Sequence, residues 1–597
     1  MFTFSQFSKL TAAAATKFSN LSRLGKVGVV TAAATTGIAT NFVVHQKRQT
    51  VKGTDEFAEH TREQLKKHWV SGMHEPFITK DKKAIELFRQ NFPELSHLLP
   101  NNVEEFQNSL AEKTPVQIRP IEECPVSTAE LEKTNTILSV GGPPALILAA
   151  AEAMDGNQDV IYACNNNWQI AYGSAFHVEE DGDAEAPTGL KPRDFIMDQI
   201  RLFFKRKSYE EIEKTGLYPW RTLDVIGFLK HPEEWLSALS VAIKFEKKKS
   251  MGPEFRKAEV DKVSEQCVFN EQLFNKLNEE MGGKLLLSGR GGLVIARNEQ
   301  EIADLEAQKK NLEKEGRTFS DVSPDDLMKK YGFAIKGQAF KVKDHDAVLA
   351  GNYKKSLSKY IQEKGGKVFE GTLETIYTNP KKEGGIAKFR TPNGDVKYIP
   401  FKRGLLSLGN QAIIASNGKS LFNRIQATGS SGRALVFTPK NTTLPRVGVY
   451  GGTNHVTLLS EKPVPVNRNG KEMDVHVLGF TAGAAVTPAN RGKGAGNHDG
   501  TISVGLVSSV KDTLGIKDRL GAEANDRGNG IEMEILAVKG CNRVIGENGQ
   551  TTYIKINNGL TAQVTPGGGG ITRAPDALNT DPNLKSRVLK KPRPSVR

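Results

Sequence analysis

Six residues offer the clearest chemistry in this chain: Val140-Gly141-Gly142-Pro143-Pro144-Ala145. They follow a compact apolar run, Thr134–Val140, and open an Ala/Leu-rich stretch, Leu146–Met154, after which Asp159–Cys164 is apolar again. Strand, glycine turn, helix and strand in about 30 residues is the size of one βαβ unit. At such a turn the first N–H groups of the helix have no intrahelical partner and the macrodipole favours negative charge, so a pyrophosphate is held there. Gly141, Gly142 and Ala145 are the candidates for that contact. Against the usual GxGxxG spacing the middle glycine is kept, Val140 replaces the first, and Ala145 replaces the third, still small enough for close helix-to-strand packing. Each proline removes one N–H donor. A Gly/Pro turn that opens a helix and binds nothing is the competing reading. The acid expected some 20 residues on, which would accept hydrogen bonds from a ribose, is replaced by Asn165, an uncharged acceptor.

Other reactive side chains point nowhere specific. Histidine is the side chain suited to acid/base work at neutral pH, but His345 and His455 both read as loop or surface histidines. No GxSxG, HExxH or Walker-type loop is present, so hydrolase, metalloprotease and NTPase chemistry lack their required groups. The four cysteines, Cys124, Cys164, Cys267 and Cys541, are far apart with no CxxC pair, which indicates neither a disulfide framework nor a metal cluster.

The elements that must position the turn follow from periodicity. The expected fold class is α/β, with a second, sheet-containing lobe. Residues 55–130 are expected as a helical lead-in, 131–180 as the first part of the cofactor domain, and 181–575 as the interleaved second lobe and the rest of that domain. Residues 576–597 read as a basic tail. The chain is 597 residues long, with 38% hydrophobic and 25% charged residues, which fits a globular protein and excludes global disorder or a polytopic membrane protein.

The net charge of +14 resides at the ends. Residues 1–54 carry seven Lys/Arg and no acid, and residues 573–597 carry seven basic and two acidic residues, which leaves +2 for the body between them. A near-neutral body argues against nucleic-acid binding, while basic ends suit an anionic surface or an import apparatus. Val27–Val44 is an uncharged run of eighteen residues behind a segment with no acid, so residues 1–54 read as a targeting sequence or membrane anchor, with a disordered basic arm as the alternative. The expected location is membrane-associated: the mitochondrial inner membrane in a eukaryote, the cell envelope in a bacterium.

Beyond the hexad, an ordered series of segments resembles the flavin-dependent oxidoreductases of the D-amino-acid oxidase and dehydrogenase superfamily over roughly residues 134–575. Ala171-Tyr172-Gly173-Ser174-Ala175 is similar to the family's loop beside the flavin, and Gly289–Ala296 with Asn298–Leu305 to its strand and acidic helix. Gly365–Val368 through Gly371–Ile376, including Leu373, resembles the strand pair whose backbone lies against the adenine. Leu405–Gln411, with Gly409, resembles the stretch returning to the diphosphate. Gly540-Cys541-Asn542-Arg543, Asn557-Asn558-Gly559 and Thr565–Thr572 resemble the C-terminal signature, in which Gly567, Gly568, Gly569 and Gly570 approach the isoalloxazine. The resemblance implies a Rossmann-like FAD-binding domain with a central parallel sheet, a substrate lobe built on a mostly antiparallel sheet, FAD as cofactor, hydride transfer from a C–N bond of a small amine or amino acid, and electrons passed to a quinone or another acceptor. It also implies Arg543 as the group that holds a substrate carboxylate. The degraded hexad and missing acid leave a second possibility: a non-catalytic structural or assembly subunit, a partner of a membrane complex, with a decayed flavin site.

Overall fold

The computed structural model describes residues 114–165, 253–287, 350–409, 425–441, 470–486, 532–545, 551–564 and 573–590, with short stretches at 174–175, 292–296, between 302 and 348, between 411 and 421, and between 446 and 468. Three sheets matter here, two of them built around the hexad. Strands β1 (Val116–Pro120), β2 (Ile137–Gly141) and β3 (Val160–Cys164) flank helix α1 (Pro143–Met154). Helices α2 (Pro253–Glu280) and α3 (Ala350–Glu363) precede β4 (Lys367–Glu370), β5 (Thr372–Thr378), β6 (Gly385–Arg390), β7 (Val396–Phe401), β8 (Arg403–Ser407) and β9 (Ile413–Ile414). The chain closes with β10 (Thr552–Lys555), β11 (Leu560–Val564), a 3-10 segment (Ala574–Thr580) and α4 (Pro582–Lys590).

The central sheet has six strands in the order β4-β3-β2-β8-β11-β10, parallel except for β10. Read outward from β2, this is the doubly wound order 3-2-1-4-5, with the direction of winding reversing between β2 and β8. Strand β2 is buried over four of its five residues, as a parallel strand covered on both faces must be. Helix α1 is buried from Pro144 to Met154 and has no wet face; its one charged residue, Glu152, is buried with the rest.

One face of the central sheet packs on helices. Ala145–Ala151 of α1, Leu273 and Phe274 of α2, Tyr353 and Leu357 of α3, and Leu584 and Val588 of α4 share a core with Ile137, Tyr162 and Leu405. The other face packs on a five-stranded sheet, β7-β6-β5-β1-β9, through Leu138, Val140, Leu406 and Ala562 against Ile376, Phe389 and Phe401. A separate sheet of nine strands, antiparallel but for one pair, carries 425–439, 471–486 and 532–545, in agreement with the expected second lobe.

Two expectations about boundaries change. The lead-in expected to be helical as far as residue 130 contains, in its described part, strand β1, which pairs in parallel with β5 and β9. Most of the expected basic tail is packed structure: Leu584 and Val588 are core residues, Arg587 Nε reaches Asp155 at 2.8 Å, and Lys585 Nζ lies 4.2 Å from the Phe269 ring centre. The alternation of apolar positions at 584 and 588 with basic residues between them is an amphipathic turn, and burial of its apolar face outweighs the charge. No helix among the described residues is long and apolar enough to cross a membrane, and residues 1–54 lie outside those described.

Candidate nucleotide site at the sheet switch point

In an open doubly wound sheet, ligands bind outside the carboxyl ends of the strands where the winding reverses. Here that place lies between Gly141, the last residue of β2, and Ser407, the last of β8, which are register partners. Several sequence candidates converge on this edge. Gly141 and Gly142 form the turn, Ala145 lies in the first helical turn, Gly409 follows β8, and Asn165 follows β3. Strand β11, next to β8, ends at Val564 on the same edge; the candidates Gly567, Gly568, Gly569 and Gly570 lie outside the described residues.

The turn is held by the protein itself. Gly141 has φ +115°, and a Cβ there would lie 2.2 Å from the Ser407 carbonyl oxygen, so glycine is demanded by the approach of β8. Gly142 N–H donates to that same oxygen at 2.9 Å. The Gly141 carbonyl accepts from the Tyr162 hydroxyl, and the Pro143 carbonyl from the Tyr353 hydroxyl, each at 2.9 Å. Burial holds the Tyr353 phenol well above its usual pKa, so it stays a neutral donor. Ser139 Oγ donates to the Ala145 carbonyl at 2.6 Å.

Whether a dinucleotide fits is then a matter of donors. Of the N–H groups that a helix start normally offers, Gly142's is engaged with Ser407, Pro143 and Pro144 have none, and Ala145 is fully buried. The helix terminus therefore supplies position and dipole but not the usual hydrogen-bonding cradle. Gly409, at φ +61°, has no described atom within 4 Å of where a Cβ would project.

The ribose position is likewise altered. Asn165 is half-buried and carries no charge. A carboxylate, Glu370, stands exposed at the end of the neighbouring strand β4, with Cys164 as its register partner; Gly371 N–H donates to the Cys164 carbonyl at 2.9 Å. Sequence reasoning looked for the acid on the second strand and missed that the third strand ends beside it. The dipeptide Glu370-Gly371 closing an apolar run was the available signal.

Leu373 lies three residues past Glu370, its side chain buried between the two sheets opposite Phe389. A register shift between Leu373 and Thr375 makes Glu374 the extra residue, whose carboxylate meets Lys388 Nζ at 2.9 Å and Arg390 Nε at 2.5 Å. These partners hold the Glu374 carboxyl below its ordinary pKa, despite the opposing effect of burial.

Other candidates fall elsewhere. Ser174 belongs to a two-residue strand paired with 347–348, and Arg543 to the nine-stranded sheet, opposite Ala427. Neither is on a strand of the central sheet. Asn557-Asn558-Gly559 precedes β11 and so lies at the opposite end of that strand from the switch-point edge. Its role is structural: Asn557 Nδ2 donates to the Gly384 carbonyl at 2.7 Å and its Oδ1 accepts from Gly559 N–H at 2.8 Å. His345 and His455 lie outside the described residues, and those residues hold no metal-ligating cluster.

Two buried polar features near the edge were not anticipated. Asp576, 1% exposed, accepts from Arg573 Nε at 2.9 Å, Asn270 Nδ2 at 3.0 Å and Thr551 Oγ1 at 2.5 Å, tying the 3-10 segment to α2 and to the approach to β10. Gln563 on β11 is 1% exposed, and among the described residues neither its amide nitrogen nor its amide oxygen has a hydrogen-bond partner.

No family model matches the chain, and no curated protein matches it. Solved structures to which it is similar include glycine oxidase from Bacillus cereus ATCC 14579, at 13% identity and TM-score 0.42, covering 76% of this chain and 96% of that one. Iminodiacetate oxidase from Chelativorans sp. BNC1 is similar at 12% identity and TM-score 0.43, with 76% and 96% covered. L-alpha-glycerophosphate oxidase from Mycoplasma pneumoniae, solved with FAD bound, is similar at 13% identity and TM-score 0.41, with 76% and 95% covered. The strand order and the switch point rest on this chain's own pairings.

Proposed function

We propose that this chain is an FAD-dependent oxidoreductase of the D-amino-acid oxidase and dehydrogenase type, acting on the C–N bond of a small amine or amino-acid-like substrate. The observation that carries this is the meeting of the Gly141-Gly142 turn with Ser407 at the reversal of a 3-2-1-4-5 parallel sheet, the place where such sheets take a dinucleotide. The ordered segments of the sequence that resemble the superfamily point the same way. FAD, when bound, supplies the hydride acceptor; the protein supplies orientation and exclusion of water. On this reading Gly409 and Gly567–Gly570 line the cofactor, Asn165 with Glu370 faces its ribose end, Ser174 and Leu373 keep the roles the resemblance gives them, and Arg543 holds a substrate carboxylate. Electrons pass to a quinone or another acceptor, and residues 1–54 bring the protein to a membrane. Flavin absorbance bands in purified protein, or their appearance on adding FAD, test the reading; a colourless protein that stays apo in excess FAD rejects it.

A second reading has its own observation. The donor set at the helix start is depleted by the Gly142–Ser407 hydrogen bond and by two prolines, as expected of a fold kept for assembly after its cofactor site has decayed. Co-purification with a membrane complex in the absence of any flavin supports this alternative.

A further inference from the structure

We infer that Gln563 is a ligand-contacting residue of the switch-point site, holding an uncharged hydrogen-bonding group on the flavin half of the dinucleotide; the inference rests on the cofactor reading above. Alternation along β11 places Leu560, Ala562 and Val564 in the core facing the five-stranded sheet, so Thr561 and Gln563 face the helix side. The register Leu405–Thr561 and Leu406–Ala562 then brings Gln563 alongside Ser407, whose carbonyl accepts from Gly142. On the same face, Ser139 of β2 is also fully buried. In that register Gly141, Ser407 and Gln563 stand in one row at the carboxyl ends of β2, β8 and β11, and at its β11 end is a carboxamide with no hydrogen-bond partner among the described residues.

An unpaired buried carboxamide loses its bonds to water without replacement, and native structures rarely leave one without a reason. A carboxamide both donates and accepts, so it complements a hydroxyl or an imide rather than a phosphate or a carboxylate. The half of the sheet it occupies decides which part of the ligand it meets. In a doubly wound sheet the first three strands serve one mononucleotide and the strands beyond the switch serve the other. The adenosine side is the one ending at Asn165 and Glu370, and β11 lies beyond the switch, on the flavin side.

The experiment compares FAD binding to the full-length protein and to Gln563→Met by fluorescence titration, together with thermal unfolding of both apo forms and the absorption spectrum of the bound flavin. The expected result is FAD affinity about tenfold weaker in the variant, an apo melting temperature unchanged or higher because no partner is lost, and a shifted flavin band. Equal FAD affinity in the two proteins overturns the inference and leaves the cofactor reading standing. Weaker affinity with an unchanged flavin spectrum overturns the placement on the flavin half. No FAD binding by the unsubstituted protein sinks the cofactor reading, and this inference with it. Gln563→Glu, which keeps shape and an acceptor, is the second variant and is expected to move affinity in the same direction.

Discussion

The amide of Gly142 donates its hydrogen to the carbonyl oxygen of Ser407 across 2.9 Å, closing the point where the central sheet reverses its winding. That single bond gives the hexad a structural purpose independent of any ligand. It joins the end of β2 to the end of β8 and uses a donor that a diphosphate would otherwise claim.

The two glycines of the turn are expected to behave differently. Gly141→Ala forces a Cβ against the Ser407 oxygen in a left-handed conformation, and should lower stability by about 2–4 kcal/mol in urea unfolding. Gly142→Ala meets the same oxygen at an ordinary 3.6 Å and should change stability by less than about 1 kcal/mol.

Restoring donors tests whether the prolines limit cofactor binding. Pro143→Ala with Pro144→Ala returns two N–H groups to the start of α1, and FAD affinity should rise about tenfold in a flavin fluorescence titration. Unchanged affinity would mean that the prolines are not what limits binding here.

Asp576 is the centre of a buried network, and its loss should be severe. Asp576→Ala removes the buried carboxylate to which Arg573 Nε, Asn270 Nδ2 and Thr551 Oγ1 donate. A loss of about 3–5 kcal/mol is expected, read by chemical denaturation. The paired change Asp576→Leu with Arg573→Met removes both charges and should be milder than the single substitution.

Glu152 gives a pH signature. It is buried within α1, and desolvation raises its carboxyl pKa despite the Arg403 guanidinium 3.6 Å away. Because the folded state binds this proton more tightly than the unfolded state, the contribution of Glu152 to stability falls as pH rises above the ordinary carboxylate range. Glu152→Gln removes that dependence. The variant should gain about 1 kcal/mol over the parent at pH 7, with the difference shrinking as pH approaches 4. A constant difference across that range would point to a packing effect instead of titration.

Much of the central sheet was legible in the sequence because its signals are local. The run Thr134–Val140, the glycine turn, the Ala/Leu helix and Asp159–Cys164 appear within a residue or three of their read positions, since a strand buried on both faces and a nearly all-apolar helix carry unmistakable composition. The tail at 576–597 was misread because charge counting sees residues one at a time, whereas Leu584 and Val588 become core only when α4 meets α1 and α2.

The sequence by itself determined that a strand, a glycine turn and a helix adjoin one another, that two prolines remove donors there, and that no acid follows the second strand. Tertiary structure alone decided what those facts amount to. Register across strands distant in the chain put Ser407 against Gly142, Glu370 beside Cys164, and an unpartnered Gln563 beneath the switch point. Parallel strands are joined by long crossovers, so which residues share an edge is set by sheet order and not by proximity in sequence.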